Sequence, residues 1–303
     1  MIATFDNVAK WYGDVIGLVD VTTEIGPGVT ALLGPNGAGK STFLKLLTGQ
    51  LVPSTGSVSL FGKNPFRSSG VYRQVGFCPE QDAFYEDMTG RKFVHYLTRL
   101  HGYGAAEARR RSDEAIERVG MSENAHRRIR TYSKGMRQRI KLAQAISHDP
   151  QLVVLDEPLN GMDPIGRRKV IDLVKEMGAE GRSVLVSSHI LHEVEAMTRE
   201  LLLLYQGRVL AEGTVEEIRA YLNQYPHKII VRAPRAREIA GHLLKLDGVS
   251  GVRIDNETLH IEAQNPDQLF DALPELVLQQ GFDLDAVEAS DVSLEAIFDY
   301  LVK

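Results

Sequence analysis

Two short stretches concentrate side chains with chemistry in them. In GPNGAGKST (34–42), Gly34, Gly39, Lys40 and Ser41 fit the pattern G-x-x-x-x-G-K-[ST]. Glycines there let successive backbone N–H groups turn inward without Cβ clashes and form an anion nest. Pro35, Asn36, Gly37 and Ala38 fill out the loop, and Thr42 closes it. The helix start that follows adds partial positive charge. Lys40 is then placed to neutralise β/γ-phosphates, and Ser41 to ligate Mg²⁺. In LVVLDEP (152–158) four apolar residues end in Asp156, a metal-holding acid, and Glu157, a general base for water. Alone, the second stretch reads as a strand closing in a solvated acidic turn. Paired with an upstream phosphate loop, it reads as the other half of one site.

Strands and helices must hold these groups. VTALL (29–33), LVVL (152–155) and SVLVS (183–187) read as strands buried on both faces. Helical stretches separate them, which predicts parallel strands joined by crossovers. From about 85 to 145 the chain becomes polar, arginine-rich and helical, as an inserted helical subdomain would be. Composition shifts again near YLNQYPHK (221–228). Beyond it the pattern predicts βαββαβ, a small ferredoxin-like α+β domain. A last helix would carry Leu294, Ile297, Phe298 and Leu301 on one face. The expected division is 1–220 and 221–303.

The chain has 303 residues, long enough for about two domains. A net charge of −5 argues against a general nucleic-acid binder. One cysteine, Cys78, excludes an internal disulfide framework and fits a reducing compartment. No apolar run approaches the roughly 18 residues that span a bilayer, and MIATFDNVAK lacks the form of a secretory signal.

With these motifs in hand, the first 220 residues resemble the ATP-binding subunit of an ATP-binding cassette (ABC) transporter. Further landmarks occur in that family's order: KWYGD, FCPEQD, YSKGMRQR, LNGMDP and SSHIL. The resemblance implies that Tyr12 stacks on adenine. Gln81 reaches Mg²⁺ and the attacking water, and His189 contacts the γ-phosphate. It also implies that Ser133 and Gly135, in the signature loop, meet the ATP of an opposite subunit, with Asp163 in the D-loop beside them. The signature departs from the common LSGGQ at Tyr132, Lys134 and Met136 but keeps Ser133 and Gly135, a hydroxyl and a backbone N–H at a helix start. The D-loop has Met162 where leucine is usual, a change of little volume.

The expectation is therefore an ATPase that uses ATP and Mg²⁺. It pairs with a second copy or a similar subunit, and works with separate transmembrane permease subunits at the cytoplasmic face of the membrane. The YSKGM variant and the stretch after Gln81 are similar to bacterial exporter subunits. A rival is a soluble ABC ATPase remodelling nucleic acid or ribosomes, which the single phosphate loop and absence of sustained heptads disfavour. A second is a non-enzymatic ATP-binding regulator, which Glu157 and His189 disfavour.

Other residues suggest ordinary roles. His189 and His192 in HILHE lack zinc-helix spacing and a third ligand, so His192 and Glu193 are expected to be solvated. Cys78 is expected to be a small buried residue. The arginines at 109–111, 127, 128 and 130 are expected on solvated faces, or alternatively docked to acidic groups on a transmembrane partner or to lipid headgroups.

Overall fold

The computed structural model describes residues 1–214, 217, 227–264 and 266–289. Most of the 221–228 shift and all of the expected last helix lie outside them. The chain forms two compact units, Met1–Val215 and Glu216–Lys303.

The first unit is built on a six-stranded sheet. It contains β3 (Val29–Leu33), β5 (Val75–Cys78), β6 (Leu152–Asp156), β7 (Ser183–Ser188), β8 (Glu200–Tyr205) and β9 (Arg208–Thr214), in the order β5-β6-β7-β3-β8-β9. Five strands are parallel, and β9 returns antiparallel beside β8. Every residue of β6 and β7 is buried. This explains their uninterrupted apolar reading, since a parallel strand covered on both faces has no solvent side to alternate with.

Register brings the chemistry together. Leu33 pairs with Ser188 and Asp156 with Ser187. The carboxyl ends of β3, β6 and β7 therefore finish side by side, and the loops beginning at Gly34, Glu157 and His189 start from neighbouring points, where open parallel sheets bind ligands.

A second sheet, β2-β1-β4, is antiparallel and joins β1 (Ala3–Tyr12), β2 (Val15–Ile25) and β4 (Thr55–Leu60). Neither β1 nor β2 presents a continuous apolar run. β2 alternates buried and open positions over its second half, as one face on a core requires. Phe5 of β1 stacks on Phe43 of α1 (Lys40–Leu47) with ring centroids 4.0 Å apart. That contact seats the sheet against the helix whose start holds Lys40.

Three helices occupy the polar middle of the unit: α2 (Gly90–Leu100), α3 (Ala105–Arg118) and α4 (Lys134–Ile146). Two arginines of α3 are locally paired: Arg110 with Glu107 and Glu114, and Arg111 with Glu107. Arg128 and Arg130 both reach Asp87. These largely exposed, screened pairs contribute little stability. α5 (Pro164–Ala179) and α6 (Leu191–Met197) follow β6 and β7.

The second unit runs β10 (His227–Arg232), α7 (Ala236–Leu243), β11 (Val249–Asp255), β12 (Thr258–Ala263), α8 (Pro266–Gln280) and β13 (Ala286–Ala289). Its sheet is antiparallel, in the order β11-β12-β10-β13. Ile229, Val231, Leu259 and Ile261 pack with Ile239, Leu243, Leu269 and Leu273 in its own core.

Cys78 is fully buried, and burial pushes its thiol up to about 12, so it carries no nucleophilic thiolate at neutral pH. His148 is buried against His101, with rings stacked 3.5 Å apart. Its Nε2–H donates to the Val75 carbonyl at 3.1 Å. Burial, then the neighbouring His101, pushes its pKa down to about 4. The fold thus holds His148 neutral while the unfolded chain takes up a proton near pH 6.5. Stability is full above that value and falls as pH drops from about 6.5 to 4, by up to about 3 kcal/mol. Denaturant unfolding of wild type and His148→Gln at pH 7 and pH 4.5 should show a smaller acid loss in the variant.

Candidate functional site

The loop 34–39 leaves β3 at the centre of the sheet and enters α1. Gly37 and Gly39 have φ of 83° and 106°, a region side chains avoid. A Cβ on Gly39 would lie 2.5 Å from the Gly17 carbonyl oxygen, so both dihedral and space demand glycine. No side chain caps the N-terminus of α1, which leaves its first N–H groups directed at the cleft. Buried Lys40 curls back over the loop, its Nζ donating to the Gly34 carbonyl at 2.6 Å and the Pro35 carbonyl at 3.3 Å.

Glu157 lies beyond the end of β6 with φ of 48°. In a continuing strand it would point away from Asp156. The left-handed backbone turns it into the same cleft, at a cost of about 1 kcal/mol or more. Its carboxylate is buried between two cations or potential cations. Oε1 lies 3.3 Å from Lys40 Nζ, an ion pair without hydrogen-bond geometry, and Oε2 lies 3.0 Å from His189 Nδ1. Oε1 is thus buried without a hydrogen-bond partner, a position from which a carboxylate can accept a proton from water.

Asp156 accepts from Ser187 Oγ at 2.6 Å through Oδ1 and from Ser41 Oγ at 3.3 Å through Oδ2. Ser41 and Asp156 therefore converge on one point. Among the described residues no cluster of three or more His, Cys, Asp or Glu side chains stands ready for a metal. Two oxygens suit Mg²⁺, which keeps waters and takes phosphate oxygens for the rest of its shell. The loop, the uncapped helix start and these oxygens fit a nucleoside triphosphate with its metal.

One cleft of about 550 Å³ is lined by Tyr12, Pro35, Asn36, Gly37, Gly39, Lys40, Ser41, Thr42, Asp156, Glu157 and His189, together with Val15, Ile16, Gly17, Glu80 and Asn160. Gly34 and Ala38 form the base of the loop without lining the cleft. The Tyr12 ring sits against Gly17 and Thr42, its hydroxyl 3.4 Å from Thr42 Oγ1; adjacent Trp11 does not line the cleft. Gln81 is not among the lining residues. It borders a neighbouring cavity with Glu80, Glu157 and Asn160. Ser133, Gly135 and Asp163 are also absent from the cleft. Ser133 caps α4, its Oγ accepting from the Met136 N–H at 3.3 Å, and Asp163 caps α5 through the Gly166 N–H at 2.6 Å.

Several residues of the site carry no motif of their own. Ser187 Oγ, fully buried, donates to Asp156 and accepts the Glu157 N–H at 2.9 Å, locking the two acids to each other. Buried Lys141 of α4 donates to the carbonyls of Pro79 (3.0 Å) and Glu80 (2.7 Å) and meets the Asp82 carboxylate at 3.0 Å, holding the backbone just before Gln81 and the side chain just after it. Glu193, expected to be solvated, is buried at 6% exposure, because it faces Arg167 and the end of β7. His192 is exposed as expected.

A parallel sheet whose central strand feeds a glycine loop, a lysine and an acidic pair defines a phosphate-loop nucleotide hydrolase. Residues 18–160 match the family model described as ABC transporter. The chain is 33% identical over 295 residues to the daunorubicin resistance ATP-binding protein DrrA3 of Streptomyces coeruleorubidus, covering 96% of this chain and 91% of that one. It is 29% identical over 307 residues to the bacitracin transport ATP-binding protein BcrA of Bacillus licheniformis, covering 98% and 95%. Among solved structures, the ATP binding subunit of an ABC transporter superimposes with a TM-score of 0.67 at 29% identity, over 73% of this chain and 93% of that one. The chain belongs to the ABC transporter family as an ATP-binding subunit, and it is an ATPase of that type.

Replacing Ser187 with Ala should loosen both acids at once without touching the phosphate loop. We expect kcat for ATP to fall about tenfold or more, with ATP affinity changed less than about threefold. Steady-state kinetics and equilibrium ATP binding check this, and Ser187→Thr, which restores a hydroxyl, should recover part of the rate.

Proposed function

We propose that this chain powers export of drug- or antibiotic-like molecules through separate transmembrane permease subunits, hydrolysing ATP at a site completed by a second ATPase subunit. The observation that carries the reading is the Glu157 carboxylate, buried with Lys40 on one oxygen and met by the more open His189 on the other, facing the phosphate loop. Similarity along nearly the whole chain to resistance and transport proteins supports it. Both relatives carry transport or resistance names, and the chain is acidic overall. Nothing in either favours a soluble nucleic-acid remodeller.

In this reading the 34–42 loop holds the phosphates and Tyr12 the adenine. Mg²⁺, held by Ser41 and Asp156 with Gln81 swung in from its neighbouring loop, would neutralise phosphate charge. Glu157 Oε1 takes a proton from the water that attacks the γ-phosphorus. His189, on the other carboxylate oxygen, orients Glu157 and reaches toward the γ-phosphate. Lys40 offsets the charge that gathers on the phosphates, so the site works mainly by positioning and charge stabilisation. Ser133, Gly135 and Asp163 lie outside their own subunit's cleft because they serve the ATP of the opposing subunit. Closing the pair moves the permease helices, and hydrolysis reopens it. No helix among the described residues is long and apolar enough to cross a membrane, and docking to the permease places the chain on the cytoplasmic face.

Glu157→Gln should keep ATP affinity and lose at least about a hundredfold in turnover, measured on the assembly reconstituted with its permease. A native rate in that variant would remove Glu157 as base. Extraction of the native assembly in mild detergent should bring down an integral membrane protein with this chain.

A further inference from the structure

Glu193 carries a buried carboxylate that the chemistry at the phosphates does not use, and its contacts are the clue. Arg167, in the first turn of α5, donates through Nε to the carbonyl of Met162 in the D-loop at 3.2 Å. Its Nη1 donates to Glu193 Oε1 at 2.9 Å. The other oxygen, Oε2, accepts from Ser188 Oγ at 3.3 Å, and Ser188 Oγ in turn accepts the N–H of Ile190 at 3.1 Å. The residues on both sides of His189 are therefore tied to Glu193. The Ser188 carbonyl also accepts the Gly34 N–H at 3.3 Å, so the same short segment touches the phosphate loop.

We propose that Arg167 and Glu193 are positioning residues that link the D-loop to His189, so that a shift of the D-loop on subunit pairing moves His189 onto or off the γ-phosphate. The link rests on the proposed roles of the D-loop and His189. A carboxylate buried as Glu193 is persists only with its hydrogen bonds complete, and both of its oxygens and two guanidinium nitrogens are used. A guanidinium also has the planar fork needed to hold a carbonyl and a carboxylate at once, which an ammonium lacks. The link is thus geometric as well as electrostatic, and it acts on His189 through backbone and hydroxyl rather than by touching substrate.

The test uses Arg167→Lys and Glu193→Gln, which keep the charge or the shape of the pair and limit the risk of unfolding, together with the double variant. Three quantities are measured on the full chain: ATP affinity, single-turnover hydrolysis with the permease present, and the His189 imidazole signal in ¹⁵N-histidine spectra of the ligand-free protein. We expect ATP affinity within about threefold of wild type, turnover lowered about ten- to a hundredfold, and a displaced His189 signal. The double variant should lose no more than the worse single one, since both act through one link. Native turnover with an unmoved His189 signal would overturn the proposal. Parallel loss of ATP affinity and turnover would also overturn it, because the pair would then only hold the fold. Failure of wild type itself to hydrolyse ATP would count against the reading of the site as a whole, and the His189 signal would still report on the link.

Discussion

The structure depends on a carboxylate held out of water between a lysine and a histidine. Glu157 would be costly to bury alone. Lys40 faces one oxygen at 3.3 Å and His189 the other at 3.0 Å. Lys40 starts the helix after β3, while Glu157 and His189 follow β6 and β7, so the arrangement exists only if these three strands end at the same level. The parallel register supplies that: Leu33 beside Ser188, Asp156 beside Ser187. The left-handed backbone at Glu157 then turns a residue that would have faced the helices into the cleft beside Asp156. A slip of one residue in either strand pairing would flip these side chains to the other face.

Around that centre the fold supplies positioning from buried polar side chains. Ser187 spans the two acids, and Lys141 holds the backbone just before Gln81 and the Asp82 carboxylate just after it. Each sits on an element whose other residues are largely core, so their polar atoms must find partners, and the partners they find are the loops that carry the chemistry. The groups placed by the signature and D-loops are a different matter. Ser133 and Asp163 cap their own helices outside the cleft, which agrees with the proposed site shared between two subunits.

How much of this was legible in the sequence follows from the physics of each part. The doubly buried strands β3, β6 and β7 announce themselves as unbroken apolar runs, and the glycine loop as a spacing that only close backbone approach explains. The β2-β1-β4 sheet did not stand out, because its strands alternate and bulge and its core face is completed by α1 from elsewhere in the chain. Ser187 and Glu193 were also hidden. A serine in a strand and a glutamate in a first helical turn look like ordinary choices until register and packing bring Asp156 to one and Arg167 to the other. The single available signal, polar residues crowded into SSHILHE at the end of a buried strand, says that something there needs partners without saying which.

The central claim is that a working site takes its phosphate loop from one subunit and its signature loop from another. Mixing subunits tests it most directly: Lys40→Ala loses the first part and Ser133→Arg the second. Each variant alone should be inactive in an ATPase assay with the permease. A mixture should recover a substantial fraction of wild-type activity, because half of each mixed pair is an intact composite site. If the mixture stays as inactive as its components, although mixed pairs form, the site is complete within one chain and the shared-site claim is wrong.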